Sequence, residues 1–472
     1  MSFMRNIEFQ HTYKSLAKEF YSEQPVYKYP NAKVVVLNDS LADELGMDFA
    51  KSSEKDILEF LLGYTSKEPI AQAYAGHQFG HFTTLGDGRA ILLGEYTKPN
   101  GSVVDIQLKG AGRTAYSRGG DGKATLQSML REYIVSEAMH NLGIPTSRIL
   151  AVITTGENIQ RNNLDQGAIA VRVASSHIRV GTFQYAATQG KEYSQELLDY
   201  TLQRHGISYG KNKALSLLEY VIERQSSLIV EWERVGFIHG VMNTDNMTIS
   251  GETIDYGPCA FMEEYDPDTV FSSIDRNGRY AFANQSSIAG WNIARLAESL
   301  LPLIADDEDK AIELAQEVLA SYSQSYTDKW QKMLMGKLGV ESYQACDDEL
   351  ISELLMLMNA NKLDYTNTFY NLAYQNLDTL KSQGMSDWFD KWLARVGDIE
   401  KATFVMRKNN PMIIPRNHLV DKALKAADKG NVSLVENLVK VTSKSYKFTK
   451  DADKYMALPS DDERVRATFC GV

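Results

Sequence analysis

Cysteine is nearly absent: Cys259, Cys346 and Cys470 are the three in 472 residues. With no CxxC or Cys/His spacing among them, neither a structural zinc site nor a disulfide scaffold is expected. Basic charge is in deficit as well. Lys plus Arg number 50 against 61 Asp plus Glu, a net charge of −11, which argues against a general nucleic-acid binder because phosphate contacts need a cationic face. No run approaches the roughly 18 apolar residues of a membrane span. The opening MSFMRNIEFQHTYKSLAKEF has neither the apolar centre of a secretion signal nor the Arg- and Ser-rich look of a transit peptide. A cytoplasmic monomer that binds neither membrane nor nucleic acid is therefore expected. Proline is sparse, 11 residues, with no Pro-rich linker, repeat or low-complexity tract, so the parts of the chain should pack closely. What is present, 43% hydrophobic and 24% charged residues, is the balance of a folded globular protein. At about 150 residues per domain the length suggests two or three units.

Residues 1–75, with KVVVLN and the helix-like EKDILEFLLGY, read as an N-terminal extension. Residues 76–180 read as a β-rich lobe. It opens with a three-stranded meander, HFTTL, AILLGEY and VVDIQLKG, joined by GDGR and KPNGS. A glycine-dense loop, GAGRTAYSRGGDGK, leads into a helix whose Leu126, Met129, Leu130, Ile134, Ala138 and Leu142 fall at helical spacing, with Gly143 as a stop. Two β-branched strands, RILAVITTG and GAIAVRVA, flank a turn-rich ENIQRNNLDQ. Residues 181–305 read as a helical lobe interrupted by one hairpin, MTIS-GE-TIDYG, and residues 306–472 as amphipathic helices without a motif. The expected class is α+β.

Chemistry concentrates in two places. Lys109 ends the third strand of the meander, and Glu132 lies on the second turn of the helix that follows. Further on, His239-Gly-Val-Met-Asn-Thr-Asp245-Asn246 precedes Asp255-Tyr256-Gly257. This is the order of parts in a protein kinase: a strand lysine on the phosphates, a helix glutamate holding it, then an Asn and an Asp as magnesium ligands. A two-lobed kinase-like fold follows as the expectation. Val241, however, occupies the place of the kinase catalytic base and cannot accept a proton. Asp245, beside Asn246, is the nearest replacement. The GDGR turn, with Gly86, Gly88 and Arg89, allows close backbone approach to phosphate, though such a turn alone is no more than a hairpin. Arg113, Arg118, Lys123, Arg172 and Arg179 add cations to the β-rich lobe, and Arg172 sits inside an apolar strand where an unpaired charge is costly. His77 and His418 are read as satisfied structural histidines.

The segments YAGHQFGHFTTLGDGRAILLGE, DIQLKGAGRTAYSRGGDGKA and HGVMNTDNMTI...IDYGP resemble the selenoprotein O (SelO, or YdiU) family. The likeness runs from about Tyr74 to Leu300 and continues more loosely through FVMRKNNPMIIPRNHLVDKAL to Cys470. That resemblance implies a kinase-like fold with ATP flipped relative to ordinary kinases. It implies transfer of AMP from ATP to Ser, Thr or Tyr hydroxyls of protein substrates, or of UMP from UTP, with Mg2+ or Mn2+. It assigns nucleotide contacts to Gly86, Gly88, Arg89, Lys109, Asp121, Gly122, Arg172, Arg179 and Asp255, and metal ligands to Asn246 and Asp255. Asp245 becomes the proton acceptor and Glu132 the partner of the lysine. Where animal members carry a C-terminal selenocysteine, this chain has Cys470, and a disulfide between Cys259 and Cys470 is a further expectation. Two alternatives stand beside this reading: a kinase transferring the γ-phosphate, against which Val241 counts, and a non-catalytic pseudokinase scaffold.

Overall fold

A computed structural model describes residues 7–161, 163–447 and 452–468. Alternation with a period of two builds its centre. In the strand Val103–Lys109, Val104, Ile106 and Leu108 enter one apolar cluster, so Asp105, Gln107 and Lys109 face the other side of the sheet. Leu164–Ala174 alternates in the same way: Ile169, Val171 and Val173 join the first cluster, Ala168 and Ala170 the opposite one, and Arg172 is the polar member of that second row.

The strands in chain order are β1 (Tyr21–Glu23), β2 (Lys33–Leu37), β3 (Ile70–Gln72), a separate hairpin β4 (Ala75–Gln78) and β5 (His81–Thr84), then β6 (Ala90–Thr97), β7 (Val103–Lys109), β8 (Ala124–Thr125), β9 (Arg148–Gln160) and β10 (Leu164–Ala174). Among the described residues the main sheet has eight strands in the order β1-β3-β6-β7-β10-β9-β2, with β8 on β10. Its pairings are antiparallel. One face is covered by α1 (Asp39–Glu44) and α2 (Glu54–Leu61), through Leu41, Phe60 and Leu61. The other carries α3 (Leu126–Asn141), capped by the Thr125 side chain, which accepts from Ser128 N–H.

Beyond the sheet the chain is mainly helical: α4 (Val180–Gln189), α5 (Lys191–Arg204), α6 (Lys213–Arg234), α7 (Gln285–Ile304), α8 (Glu308–Leu338), α9 (Asp347–Ala360) and α10 (Tyr365–Ala373) lead the series. In α6, Leu217, Leu218, Val221, Ile222, Leu228, Ile229 and Trp232 repeat at helical spacing and are buried. The helices Asn417–Asp428 and Ser433–Thr442 return to the sheet side, where Val420, Ala423, Leu424 and Leu438 pack with Met129, Leu130 and Tyr133 of α3. No described helix is long and apolar enough to cross a membrane.

Four local expectations change. HFTTL is not the first strand of a meander with AILLGEY: β5 pairs with β4, and β6 takes β3 as its second neighbour. The reason is Asp87, whose carboxylate is drawn under the sheet to accept from Gln72 N–H and Gln107 Nε2, both at 3.1 Å, so the GDGR segment turns inward instead of closing a hairpin. The hairpin at MTIS-GE-TIDYG reduces to one bridge, Met247↔Thr253, because Thr248 and Ser250 hydroxyls take over the bonding at its tip. ENIQRNNLDQ is mostly strand, since β9 runs to Gln160 and β10 starts at Leu164. Finally, residues 1–75 supply β1, β2 and β3 to the main sheet and so form part of its framework.

One buried ion pair ties the C-terminal helices together. Arg416, 1% exposed, makes a two-pronged contact with Asp364 at 2.9 and 3.0 Å, and Asp364 also caps α10 through Asn367 N–H. Asp364→Ala strands the guanidinium, and a loss of about 3 to 5 kcal/mol is expected in a urea titration.

Candidate active site

The polar row of β7 meets three other elements. Lys109, 3% exposed, donates to Glu132 Oε1 on α3 and to Asp255 Oδ1. Arg89 Nη2 lies 3.9 Å from the same Asp255 oxygen. Burial by itself raises the Asp255 carboxyl, but the charges of Lys109, Arg89 and Arg172 outweigh it and hold the group well below the usual carboxylate range. Asp255 adopts φ +68°, a left-handed conformation rare outside glycine.

Beside this cluster, Arg172 Nη2 donates to Gln107 Oε1, whose own amide reaches Asp87. Arg179 stacks its guanidinium 4.2 Å from the Tyr74 ring centre, donates from Nε to His177 O at 3.1 Å and approaches Asp87 Oδ1 at 3.9 Å. Among the described residues, Arg172 Nε and Arg179 Nη2 are buried donors that find no hydrogen-bond partner, and Asp245 Oδ1 is a buried acceptor that finds none. Such orphans are rare in protein interiors and fit a site whose partner is a ligand.

Asp245 and Asn246 belong to a short 3-10 turn, Thr244–Asn246. The β4–β5 hairpin is docked on that turn: His77 N–H donates to Thr244 Oγ1 at 2.7 Å and Phe79 N–H to Asn243 Oδ1 at 3.1 Å. Gly76 is what allows the approach, since a Cβ there meets Asp245 Oδ1 at 2.5 Å. Gly181 is equally constrained, because its Cβ meets Ala75 O at 2.0 Å. Asp245 is 8% exposed, and burial pushes its carboxyl up to about 6 against the pull of Arg179. Asn246 donates from Nδ2 to Val241 O at 3.1 Å, which turns Oδ1 the other way. The bridge Met247↔Thr253 sets Asn246 and Asp255 one and two residues beyond it on its two arms. His239 is fully buried, stacked on Trp232 and bonded through Nε2 to Ile254 O at 2.9 Å, a fastening between the two motifs.

Asn246 and Asp255 offer hard oxygen donors of the kind that Mg2+ and Mn2+ take. Among the described residues no group of three or more His, Cys, Asp or Glu is arranged for a metal. An amide and a carboxylate alone would suit an ion whose other ligands are phosphate oxygens and water. A cavity of about 450 Å³ opens alongside, lined by Arg89, Arg131, Glu132, Arg161 and Gly257 among others.

The other expected residues are held by contacts within the protein. In the GDGR turn the Asp87 and Gly88 amides bond to Gln72 O and Gly86 O, and Gly86 is required because Tyr116 packs where a Cβ would stand, 2.4 Å away. Asp121 is exposed and makes a two-pronged pair with Arg161 at 2.8 and 2.9 Å, so its carboxylate is not brought to Lys109. Gly122, φ +68°, closes the glycine-rich loop on itself, with a Cβ position 2.1 Å from Gly112 O. Cys259 is fully buried, and Cys470 lies outside the described residues. His77 Nδ1 accepts from Gln184 Nε2 at 2.7 Å, whereas His418 Nδ1 faces Glu263 Oε1 at 3.9 Å with no hydrogen bond among the described residues. Gly76, Tyr74, Gly181 and Gln78, whose Nε2 donates to Asp245 Oδ2 at 3.5 Å, were missed by sequence reasoning; the glycine pair in AGHQFGH was the available signal.

With this geometry in view, the family model described as protein adenylyltransferase SelO matches residues 3–443. The chain belongs to the SelO family. It is 52% identical to the protein nucleotidyltransferase YdiU of Anoxybacillus flavithermus, over 99% of each chain. It is also 52% identical to that of Geobacillus kaustophilus, covering 98% of this chain and 99% of the relative. For the Brevibacillus brevis protein of the same name the identity is 50%, over 98% and 97%. The SelO relatives therefore match the sheet, the helices and the residues around Lys109 as one length of chain.

The buried Asp245 carries a stability consequence for metal-free, nucleotide-free protein. A carboxyl raised from 3.8 to about 6 holds its proton more tightly folded than unfolded, so it costs stability above about pH 6 and little near pH 4. Asp245→Asn is expected to raise stability by up to about 3 kcal/mol at about pH 8, with the gain vanishing toward pH 4, in denaturant titrations at the two pH values.

Proposed function

We propose that this chain is a protein adenylyltransferase on a two-lobed, kinase-like scaffold, moving AMP from ATP to Ser, Thr or Tyr hydroxyls of proteins and releasing pyrophosphate. The observation that carries the reading is the joined set Lys109–Glu132–Asp255 next to Asp245, with Val241 where a kinase keeps its base. Family membership and the relatives' name, protein nucleotidyltransferase, support it.

For AMP transfer the acceptor hydroxyl attacks the α-phosphorus and the bond to the β-phosphate oxygen breaks. Charge then builds on the pyrophosphate side as well as at the reacting centre, so several fixed cations are needed. Lys109, Arg89, Arg172 and Arg179 meet that need, and the orphaned N–H groups of Arg172 and Arg179 give phosphate oxygens two ready donors. Glu132 holds Lys109 extended along the sheet. Asp245, next to the metal-side Asn246, orients the incoming hydroxyl and takes its proton, which goes from there to solvent. Bound at Asn246 and Asp255, Mg2+ or Mn2+ supplies further charge neutralisation. Gly76 and Gly181 keep space at Asp245 without admitting side chains that would displace it.

The test is incubation with α-labelled and γ-labelled ATP, and with UTP, in Mg2+ or Mn2+. Label on protein from the α position alone is expected, and label from the γ position alone would make the chain a kinase. Asp255→Ala should abolish transfer, and Asp245→Asn should lower the rate by about 10² to 10⁴ while nucleotide binding persists.

A further inference from the structure

The last turn of α6, Trp232-Glu233-Arg234, is buried, with Glu233 only 5% exposed. Tyr326 OH donates to Glu233 Oε2 at 2.7 Å, the one hydrogen bond to that carboxylate from the described residues. Beside it lies a cavity of about 520 Å³ whose walls include Tyr265, Phe282, Tyr326, Trp330 and Tyr365. It opens to solvent past Trp330 and Asp348. It lies within the range of small-molecule sites.

The walls are held in fixed positions. Tyr265 stacks on Tyr365 at 5.9 Å, and Phe282 stands edge-on to both at 6.3 and 6.1 Å. Tyr326 and Trp330, four apart on α8, share a face. Tyr365 OH donates to Glu233 main-chain O at 2.8 Å, which locks the aromatic wall to the turn that carries the carboxylate. Among the described residues no Lys, Arg or His forms an ion pair with Glu233. Lys337 lies 4.9 Å from the Tyr365 ring centre, but its Nζ donates to Arg234 O and burial pushes the amine well below its ordinary range, toward neutrality. The phenols of Tyr265, Tyr322, Tyr326 and Tyr365 are all raised by burial and stay uncharged. Asp348 on the exposed rim adds negative charge. Burial raises Glu233 to about 8, so at neutral pH it keeps a proton that a bound cation would expel.

Aromatic side chains lining a cavity around a carboxylate that makes no ion pair with the described residues suit an ammonium group. We propose that this cavity binds the alkylammonium head of a small organic cation, with Glu233 as counter-ion and Tyr265, Phe282, Tyr326, Trp330 and Tyr365 as its cage. The site lies apart from Lys109 and Asp255 and does not depend on the nucleotidyl-transfer reading.

Calorimetric titration with choline and with its neutral isostere, 3,3-dimethylbutan-1-ol, tests this. Choline should bind at least about tenfold more tightly than the isostere, and its affinity should rise from about pH 6 to pH 9 as Glu233 gives up its proton. Glu233→Gln, which still accepts the Tyr326 hydroxyl, should remove the preference for choline. Trp330→Ala, on the half-buried rim, should weaken choline binding and decides the matter if the first variant melts early. Equal affinity for the two probes, failure of folded protein to bind millimolar choline, or choline binding unchanged in both variants overturns the proposal.

Discussion

Everything at the candidate active site is arranged around one buried ammonium group. Lys109 is nearly sealed from solvent, and its two carboxylate partners come from opposite directions, Glu132 from the helix on the sheet and Asp255 from the loop on the helical side. A charge in that position is tolerable only while its partners stay in place. The sheet, α3 and the Asp255 loop are thus held in one arrangement by an electrostatic requirement, while Arg172 is held by the neutral Gln107 amide and Arg179 stands near the Asp87 carboxylate. The surplus of donors over acceptors in this pocket is what an anion-binding cleft needs.

The same economy governs the catalytic-loop side. His239 fastens Ile254 to the loop that begins the Asn243–Asn246 turn, and the β4–β5 hairpin lies on that turn through two backbone N–H groups. Asp245 is consequently fixed by its surroundings and left with an unsatisfied oxygen. A carboxylate held this way costs stability when it ionises, a cost proteins carry where a buried group serves a ligand.

How far the sequence carried this can be argued residue by residue. The pairing of Lys109 with Glu132 was legible from the kinase-like order of a strand lysine followed by a helix glutamate, since neither residue alone points to the other. The strand-first, helix-later order was legible from periodicity. Partner choice among short strands was not: Ile70–Gln72 and His81–Thr84 are equally strand-like, and what decides between them is the burial of Asp87, a long-range event. Gly76 and Gly181 escaped notice because their role lies in what approaches them from distant parts of the chain. Asp121 gave no hint of its tie to Arg161, forty residues away.

One feature of the fold bears on when the molecule becomes competent. The outer side of α3, the helix that presents Glu132, is covered by the helices Asn417–Asp428 and Ser433–Thr442, and Gln127 on α3 bonds to Asp428 across 301 residues of chain. During synthesis the lysine, the glutamate and both motif loops emerge from the ribosome long before that cover does. A nascent chain therefore presents Lys109, Glu132 and both motif loops before the helices that cover α3 have been made.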